Sequence, residues 1–299
     1  MFLQQVVNGL SLGSIYALIA LGYTLVYGTL RFINFAHGDV FMLGAFFGFY
    51  LNKLFLTFFG VSGLWSHIWI CLLAMGLCGC VGMLIERFAY RPLRQHPKLT
   101  MLITAIGVSL FLEYGGQLVF GVDPKPFPNL IPDNPMIDMP QFVLSTGPVV
   151  VMGVAMGLLV ILYGIVFHTK MGRAMRAVSS NPKAASLMGV NPDYVISFTF
   201  ALGSILAGAA GLLYASLYPS INPMMGVFPG LKAFVAAVVG GIGHMGGAVL
   251  GGFLIGMLET FVTGYLSPAY RDAITFGCLI LILLVKPSGL LGKSSVEKV

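Results

Sequence analysis

Apolar runs of about 20 residues recur along the whole chain, separated by short polar stretches. At about 1.5 Å rise per residue, a helix of that length crosses a hydrocarbon core of about 30 Å. The pattern therefore predicts a bundle of membrane-spanning helices. The predicted helices cover residues 3–28, 39–59, 66–86, 99–120, 147–168, 195–218, 231–243, 246–266 and 271–287.

The segment 231–266 has two interpretations. It forms either one long crossing or two short ones separated by the sequence "GGIGHMGG". The chain is therefore predicted to have eight or nine crossings, some of them short or broken. With nine crossings, the two termini lie on opposite sides of the membrane.

Composition agrees with a membrane protein. Hydrophobic residues make up 58% of the 299 residues and charged residues only 9%, against about a quarter charged in soluble domains. We expect an all-α polytopic protein whose single membrane domain spans residues 1–299, because no room remains for a soluble domain of ordinary size. The four cysteines lie inside apolar segments, which predicts small packing groups: Cys71, Cys78, Cys80 and Cys278.

The basic residues predict the orientation of the chain. Of its 16 lysines and arginines, 12 fall on one side of the predicted topology: Arg31, Arg87, Arg91, Arg94, Lys98, Lys170, Arg173, Arg176, Lys183, Lys286, Lys293 and Lys298. The positive-inside rule assigns that side to the cytoplasm. The opposite loop, 121–146, then faces outward, the N-terminus lies outside and the C-terminus lies inside. The net charge of +6 thus reflects topology, and we expect no nucleic-acid partner.

Two patterns concern packing between helices. Glycines are often four residues apart, as in Gly44 and Gly48, and small residues at that spacing allow close helix contact. The segment starting at Leu12, "LGSIYALIALGYTLVYG", is similar to "LGSILAGAAGLLYASLY" starting at Leu202. The two run in opposite directions in the predicted topology, as an inverted repeat requires.

Two stretches match nucleotide-binding motifs without the context that those motifs need. Gly241, Gly243 and Gly246 fit G-x-G-x-x-G, but membrane-length apolar runs flank them instead of a βαβ unit. A turn or broken helix is the better interpretation, with His244 at its tip. The ending Gly292-Lys293-Ser294 lacks the strand, the first glycine and the following helix of a Walker A loop. We expect no catalytic residue, cofactor site or metal site in this chain. Any ATP hydrolysis must then come from another subunit.

The ionisable residues within predicted spans that call for an explanation are Lys53, Glu113, Lys232 and Glu259. A charge at a helix centre costs about 2.5–3.5 kcal/mol on insertion scales, so such residues mark a pathway or a buried pair. Lys53 can extend to the interface, and Lys232 lies at a helix start. Glu113 and Glu259 are therefore the candidates for a pathway or for the interior of the bundle.

The segment 30–51, "LRFINFAHGDVFMLGAFFGFYL", closely resembles branched-chain amino acid ABC transporter permeases of the LivH type. "GRAMRAVSSNPKAASLMGVNPDYVISFTFALGSILAGAAGLLY" and "GLKAFVAAVVGGIGHMGGAVLGGFLIGMLE" resemble the same family in the same order. The resemblance implies the ABC importer permease fold in the bacterial inner membrane. It also implies three kinds of partner: a second related permease chain, two cytosolic ATPases and a periplasmic amino-acid-binding protein. Related urea and amide permeases share a similar "AHG" segment.

Asn34, His37, Gly38 and Asp39 lie in the first of these segments. Asn34 and Asp39 are good N-cap residues for the helix that follows, and the helix dipole also favours Asp39. His37 could contact the ATPase or the helix bundle, and the residues leave both roles open.

Many ABC importer permeases carry a cytoplasmic E-A-A-x-x-x-G segment that docks into the ATPase. This chain has that spacing from Lys183 to Gly189, including Ala184 and Ala185, but Lys replaces Glu. Asn181-Pro182 predicts a helix start, Gly189 predicts its end, and the helix is about two turns long. Arg173 and Arg176 share a helix face that suits acidic residues on a partner. We expect a coupling segment at about 169–194, although these basic residues could also serve topology alone.

Three functions remain open from the residues. The first is an ABC importer permease for leucine, isoleucine and valine, or for urea and amides. The second is an ion-coupled transporter that uses Glu113 or Glu259 as its protonatable group. The third is a passive channel.

Overall fold

The computed structural model describes residues 2–60, 63–131, 134–139 and 142–292. Within them the chain forms eleven α-helices: α1 Phe2–Leu30, α2 His37–Phe59, α3 Leu64–Ile85, α4 Lys98–Phe120, α5 Thr146–His168, α6 Lys170–Ser180, α7 Pro182–Leu187, α8 Pro192–Leu217, α9 Val227–Gly240, α10 Met245–Tyr265 and α11 Arg271–Val285. Short strands form two antiparallel pairs, β1 Lys125–Pro126 with β4 Ser220–Ile221 and β2 Pro135–Met139 with β3 Phe142–Ser145. The all-α prediction is confirmed.

Eight of the described helical segments are long and apolar enough to cross a membrane, and α11 reaches that length together with the short 3-10 helix Pro268–Tyr270 that precedes it. Helix α9 is not among them, because its 14 residues extend only about 21 Å. The segment 231–266 is therefore two helices and not one long crossing. The turn between them contains Gly241 and Gly243 at φ values of 108° and 90°, where glycine is favoured. The imidazole Nδ1 of His244 caps α10 by accepting a hydrogen bond from Gly247 N.

Helices α1 and α8 form the centre of the bundle and are buried along most of their length. Their directions are opposite. Helix α1 begins beside β3, where Gln4 Oε1 accepts a bond from Val143 N, and ends beside α6, where Ser179 bonds to the carbonyl of Gly28. Helix α8 begins just after α7 and ends beside β4. By contrast, α3, α4, α5 and α11 expose many apolar side chains, as helices in contact with lipid do.

The packing supports the inverted repeat. Helices α2 and α9 begin at residues 37 and 227, which are 190 residues apart. Leu12 and Leu202 have the same separation. Helix α10 packs along α1, and α3 packs along α8, so each half contributes an equivalent partner to one central helix.

Glycines permit this close packing, as their spacing predicts. A Cβ atom added to Gly256 would lie 2.3 Å from the Cα of Gly13, and one added to Gly44 would lie 2.5 Å from the Cα of Gly208. Helix backbones at such distances gain van der Waals contact that any side chain would prevent.

The protein has two distinct faces. The hairpin face holds the start of α1 and the four strands, and the basic face holds Arg31, α6 and α7. Ten of the twelve basic residues assigned to one side are described, and all lie in or beside elements that end at the basic face. Lys293 and Lys298 lie outside the described residues, as do Ser294 of the Walker-like ending and residues 132–133 and 140–141 of the predicted outer loop.

Candidate functional site

Two helices begin against one another inside the bundle. Helix α2 starts at His37 and α9 starts at Val227. A Cβ atom on Gly38 would lie 2.7 Å from the carbonyl oxygen of Gly226, and one on Gly226 would lie 2.2 Å from the carbonyl oxygen of Gly38. Gly38 therefore allows the two helix starts to touch.

This junction lies well below the basic face. The ring of His37 reaches to within 2.2 Å of a Cβ atom placed on Gly22, which is eight residues before Leu30, the last residue of α1. At 1.5 Å per residue, that is about 12 Å from the end of α1 at the basic face. Residues 31–36 thus fold back into the bundle before α2 begins.

A cleft of about 210 Å³ lies beside the junction, between α2, α4 and α9. Its polar side chains include Asp39, Ser109 and Glu113, and its apolar walls include Ile106, Leu110, Val227 and Leu231. Among the residues that line it, none is a lysine or an arginine.

The two carboxyl groups of the cleft belong to one polar cluster. Ser109 donates a hydrogen bond to Asp39 Oδ2 at 2.5 Å. Glu113 lies one turn further along α4, and its carboxyl group interacts with that of Asp39. Two carboxyl groups beside apolar walls suit a small ligand that carries both a positive charge and an apolar part. Sequence reasoning found Asp39 and Glu113 separately and missed Ser109, although its i, i+4 spacing from Glu113 was a signal.

The predicted capping roles in this segment are wrong. The residue that precedes α2 is Ala36, and no side chain caps it. Asn34 instead accepts a 2.6 Å hydrogen bond from the hydroxyl of Tyr90, because the chain folds back toward the end of α3. Asp39 lies in the first turn of α2, where the helix dipole favours an acid, but its carboxyl group accepts from Ser109.

His37 contacts the helix bundle. It is 1% exposed, and its ring packs edge-on against Tyr23 at 4.7 Å between centroids. The sequence left two roles open, contact with the ATPase and contact with the helix bundle. The structure supports the second, because a cytosolic partner cannot reach this buried side chain.

Glu259 lies away from the cleft, in an ion cluster whose Lys232–Glu259 pair is buried while Arg271 is exposed and Asp272 is half-buried. Lys232 Nζ lies 2.8 Å from Glu259 Oε1 and 2.7 Å from Asp272 Oδ1. The hydroxyl of Tyr16 donates to Glu259 Oε2 at 2.8 Å, and Arg271 Nε lies 3.3 Å from Glu259 Oε1. The cluster joins α1, α9, α10 and α11 and is neutral overall. Glu259 thus belongs to the interior of the bundle, with partners that the sequence pattern did not identify.

On the basic face, α6 and α7 have the local structure that was predicted for the coupling segment. Asn181 caps α7 by accepting a bond from Ala184 N at 3.1 Å, Pro182 occupies the first helical position, and Gly189 has a φ of 82°. Helix α7 has six residues, slightly less than two turns. Lys183 and Ala184 are exposed, while Ala185 is buried against the bundle.

Arg173 and Arg176 are both exposed on α6, as their spacing predicted, but their contacts differ. Arg176 donates a hydrogen bond to the carbonyl of Val166, and its guanidinium lies 5.3 Å from the ring centre of Phe167. The reason is that α6 folds back beside the end of α5, whose last carbonyls need donors.

A second ionic contact on this face was not predicted. Arg94 pairs with Asp193 at 2.6 Å and with buried Glu86, and Arg91 also pairs with Asp193. These contacts hold the connection between α3 and α4 against the start of α8.

Comparison with known proteins relates this architecture to one family. The family described as "Branched-chain amino acid transport system / permease component" matches residues 5–283. The chain belongs to this family. The matched range includes the cleft, the ion cluster and the segment α6–α7.

Individual relatives match the permease over its full length. It is 41% identical over 307 residues to "High-affinity branched-chain amino acid transport system permease protein LivH" of Salmonella typhimurium, covering 100% of this chain and 98% of that relative. It is also 41% identical over 305 residues to the protein BraD of Pseudomonas aeruginosa, described in the same words, with the same coverage. A probable LivH of Methanocaldococcus jannaschii is 30% identical over 93% of this chain and 89% of that protein. These relatives are transport permeases, and no solved structure matches the chain.

Proposed function

We propose that this permease carries leucine, isoleucine and valine across the bacterial inner membrane as the membrane subunit of an ABC importer. The observation that carries the proposal is 41% identity over the whole chain to two proteins described as high-affinity branched-chain amino acid permeases. A match that covers the whole chain, rather than a few motifs, supports a shared substrate class as well as a shared fold.

The cleft contributes to substrate recognition in this proposal. The carboxyl groups of Asp39 and Glu113 attract the ammonium group of the amino acid, and Ile106, Leu110 and Leu231 contact its apolar side chain. Urea has neither a positive charge nor an apolar side chain, so these walls suit an amino acid better than they suit urea. Buried pairing of Glu259 with Lys232 also argues against Glu259 as the protonatable group of an ion-coupled carrier.

The proposed assembly contains a second related permease chain, two cytosolic ATPases and a periplasmic amino-acid-binding protein. This chain forms a single permease domain over residues 1–299, is not an enzyme and needs no cofactor of its own. The basic face lies in the cytoplasm, because lysine and arginine are retained on that side. The N-terminus and the outer loop 121–146 are then periplasmic, and the C-terminus is cytoplasmic.

The coupling segment, about 169–194, transmits the motion of the ATPase. Arg173, Lys183, Ala184 and Gly189 lie on its exposed part, and Leu187 and Met188 are 89% and 84% exposed beside them. Apolar side chains exposed to this degree in a water-facing segment are typical of a contact surface. Ala185 and Arg176 hold the segment against the bundle.

Uptake into vesicles tests the proposed function. Vesicles that contain the chain, a second permease and the ATPases, supplied with the binding protein, should accumulate leucine when ATP is present and should not accumulate urea. Vesicles that lack the ATPases should accumulate neither. Accumulation driven by an ion gradient alone would reject the ABC mechanism, and ATP-driven urea uptake would reject the substrate class.

Substitution of the cleft carboxyls tests their role separately. Asp39→Asn and Glu113→Gln should each lower leucine uptake by about tenfold or more, because each removes a charged hydrogen-bond acceptor. Thr104→Val is the matched control, since the Thr104 hydroxyl bonds only to the carbonyl of Thr100 in its own helix. Normal uptake by both carboxamide variants at equal protein level would mean that the two acids have a structural role and do not bind the substrate.

A further inference from the structure

A second cavity lies away from the cleft and opens at the outer surface of the helix bundle. This groove, of about 660 Å³, runs between α5 and the turn that joins α9 to α10. Its floor contains Leu21, Leu159 and Val166, which are buried, and Val160 and Tyr163 form an exposed apolar rim. Residues of membrane-spanning helices line most of it, so hydrocarbon chains are the molecules that its open side meets.

The length of the groove matches one leaflet of a bilayer. It extends along α5 from Val166, near the basic face, to Met156. Ten residues of helix correspond to about 15 Å, which is half of a hydrocarbon core of about 30 Å. A single acyl chain from the leaflet on the basic side would fill this length.

The end of the groove at the basic face is built for an anion. Arg176 and His244 both line it. One guanidinium nitrogen of Arg176 is used by the carbonyl of Val166, which leaves further donors on the same group. Because His244 Nδ1 accepts from Gly247 N, the remaining donor of a neutral His244 is Nε2. Helix α10 also begins here, at Met245, and the first N–H groups of a helix favour an anion.

A small pocket of about 90 Å³ continues inward from that end. It shares Val166, Arg176, Gly243 and Met245 with the groove. Thr24 lines it, is 2% exposed, and its Oγ1 has no hydrogen-bond partner within the part of the chain that the structure describes. A buried hydroxyl without a partner is costly, so Thr24 points to a ligand that brings a polar group into this pocket.

We propose that the groove binds one anionic phospholipid from the leaflet on the basic side. The phosphate contacts Arg176, His244 and the first turn of α10, a hydroxyl of a glycerol headgroup bonds to Thr24, and one acyl chain lies along α5. Phosphatidylglycerol has all three parts. Phosphatidylcholine has the chains but carries no net charge and no headgroup hydroxyl.

The test compares lipid retention by the full-length chain in its assembled complex. The purified complex is exposed to phosphatidylglycerol or phosphatidylcholine with the same acyl chains, and bound lipid is counted by native mass spectrometry. One phosphatidylglycerol per chain should be retained in preference to phosphatidylcholine. Inorganic phosphate should not displace it, because phosphate alone gains nothing from the groove.

Three variants locate the site. Arg176→Gln should weaken phosphatidylglycerol retention about fivefold, the effect of one basic side chain on an anionic lipid, whereas Lys170→Gln on the same face should not. Thr24→Val should weaken it with no effect on phosphatidylcholine. Val160→Trp fills the groove and should abolish retention, while Val154→Trp, on α5 outside the groove, should leave it intact.

Several results would overturn the proposal. They are equal retention of the two lipids, equal effects of Val160→Trp and Val154→Trp, and crosslinking of a Val160→Cys variant to another subunit, which would mean that protein covers the groove. Because retention is measured without transport, a failure here leaves the proposed importer function untouched.

Discussion

Gly38 and Asp39 are adjacent in the sequence and have different tasks at the start of α2. Gly38 allows the backbone of α2 to touch that of α9 at Gly226, whereas Asp39 directs its carboxyl group into the cleft toward Ser109. The same division recurs on α9, where Gly230 approaches Gly38 and Lys232 holds the ion cluster. Close packing and partnered polar groups therefore lie side by side at the junction of the two halves.

Gly38→Ala should destabilise the protein. Its methyl group would lie 2.7 Å from a backbone oxygen that cannot move alone, and overpacking of this kind costs about 1–3 kcal/mol. The Tm in detergent should fall and leucine uptake should fall with it. Gly107→Ala on α4 is the control, because a Cβ atom there meets nothing within 4 Å. Equal Tm values for the two variants would contradict the close contact.

Lys232→Met should be among the most destabilising substitutions in the chain. It would leave Glu259 and Asp272 facing each other with only Arg271 as a cation, and breaking a buried pair costs about 3 kcal/mol or more. Lys53→Met, which changes an exposed lysine of α2, should have little effect on Tm. A double variant with Glu259→Gln should recover part of the loss; strictly additive losses would mean that the pair is not coupled.

Among the elements, the short helix α9 and the pair α6 and α7 distinguish this protein from a bundle of simple membrane-spanning helices. Helix α9 covers only part of the membrane thickness, so its N-terminus lies beside the cleft instead of at a surface. Helices α6 and α7 lie on the basic face, held by Arg176 and by the caps at Thr169 and Asn181. The coupling segment is thus attached to α5 and also exposes apolar side chains at its tip.

Arg173 and Arg176 should respond differently to charge reversal. Arg173→Glu should weaken co-purification of the ATPase and leave the Tm unchanged, because the Arg173 side chain is exposed and has no ion pair or hydrogen bond among the described residues. Arg176→Glu should lower the Tm, because it removes the donor to Val166 and places an acid at the end of α5, where the helix dipole disfavours it. Co-purification that survives Arg173→Glu would count against docking through that residue. A Tm unaffected by Arg176→Glu would count against its structural contact.

In the whole molecule, two halves related by inversion pack around α1 and α8. Each central helix is covered by a helix from the opposite half, and α2 and α9 meet between them. An arrangement of this kind can place a site at the middle of the membrane and change access by movement of one half against the other. The ion cluster and the cleft lie on different elements around α9, so movement of that helix would affect both.

Labelling of single cysteines in intact cells checks the orientation. In a chain whose four native cysteines are replaced by alanine, Asp123→Cys should react with an impermeant maleimide from outside. Lys183→Cys should react only after the membrane is opened. Both residues are exposed, so accessibility depends on the side of the membrane alone. The reverse pattern would invert the proposed topology.

Local patterns were sufficient for much of this protein. The nine predicted apolar helices agree with the structure to within a few residues at most ends. Asn181, Pro182 and Gly189 were recognised as the start and end of α7, because capping depends on neighbours within one turn. The basic side was also evident, because charged residues are excluded from hydrocarbon regardless of how the helices pack. The family resemblance over the full length was likewise recognisable, because it depends only on the order of the residues.

Tertiary structure alone decided which side chains meet. The sequence could not show that Asn34 bonds to Tyr90, that Arg176 turns back to α5, or that Lys232 pairs with Glu259. Each of these contacts depends on how one helix packs against another. An apolar run in the sequence does not indicate which helix it will pack against. Once glycines bring the helices into contact, a buried charge must take the partner that the packing supplies, because hydrocarbon offers no other.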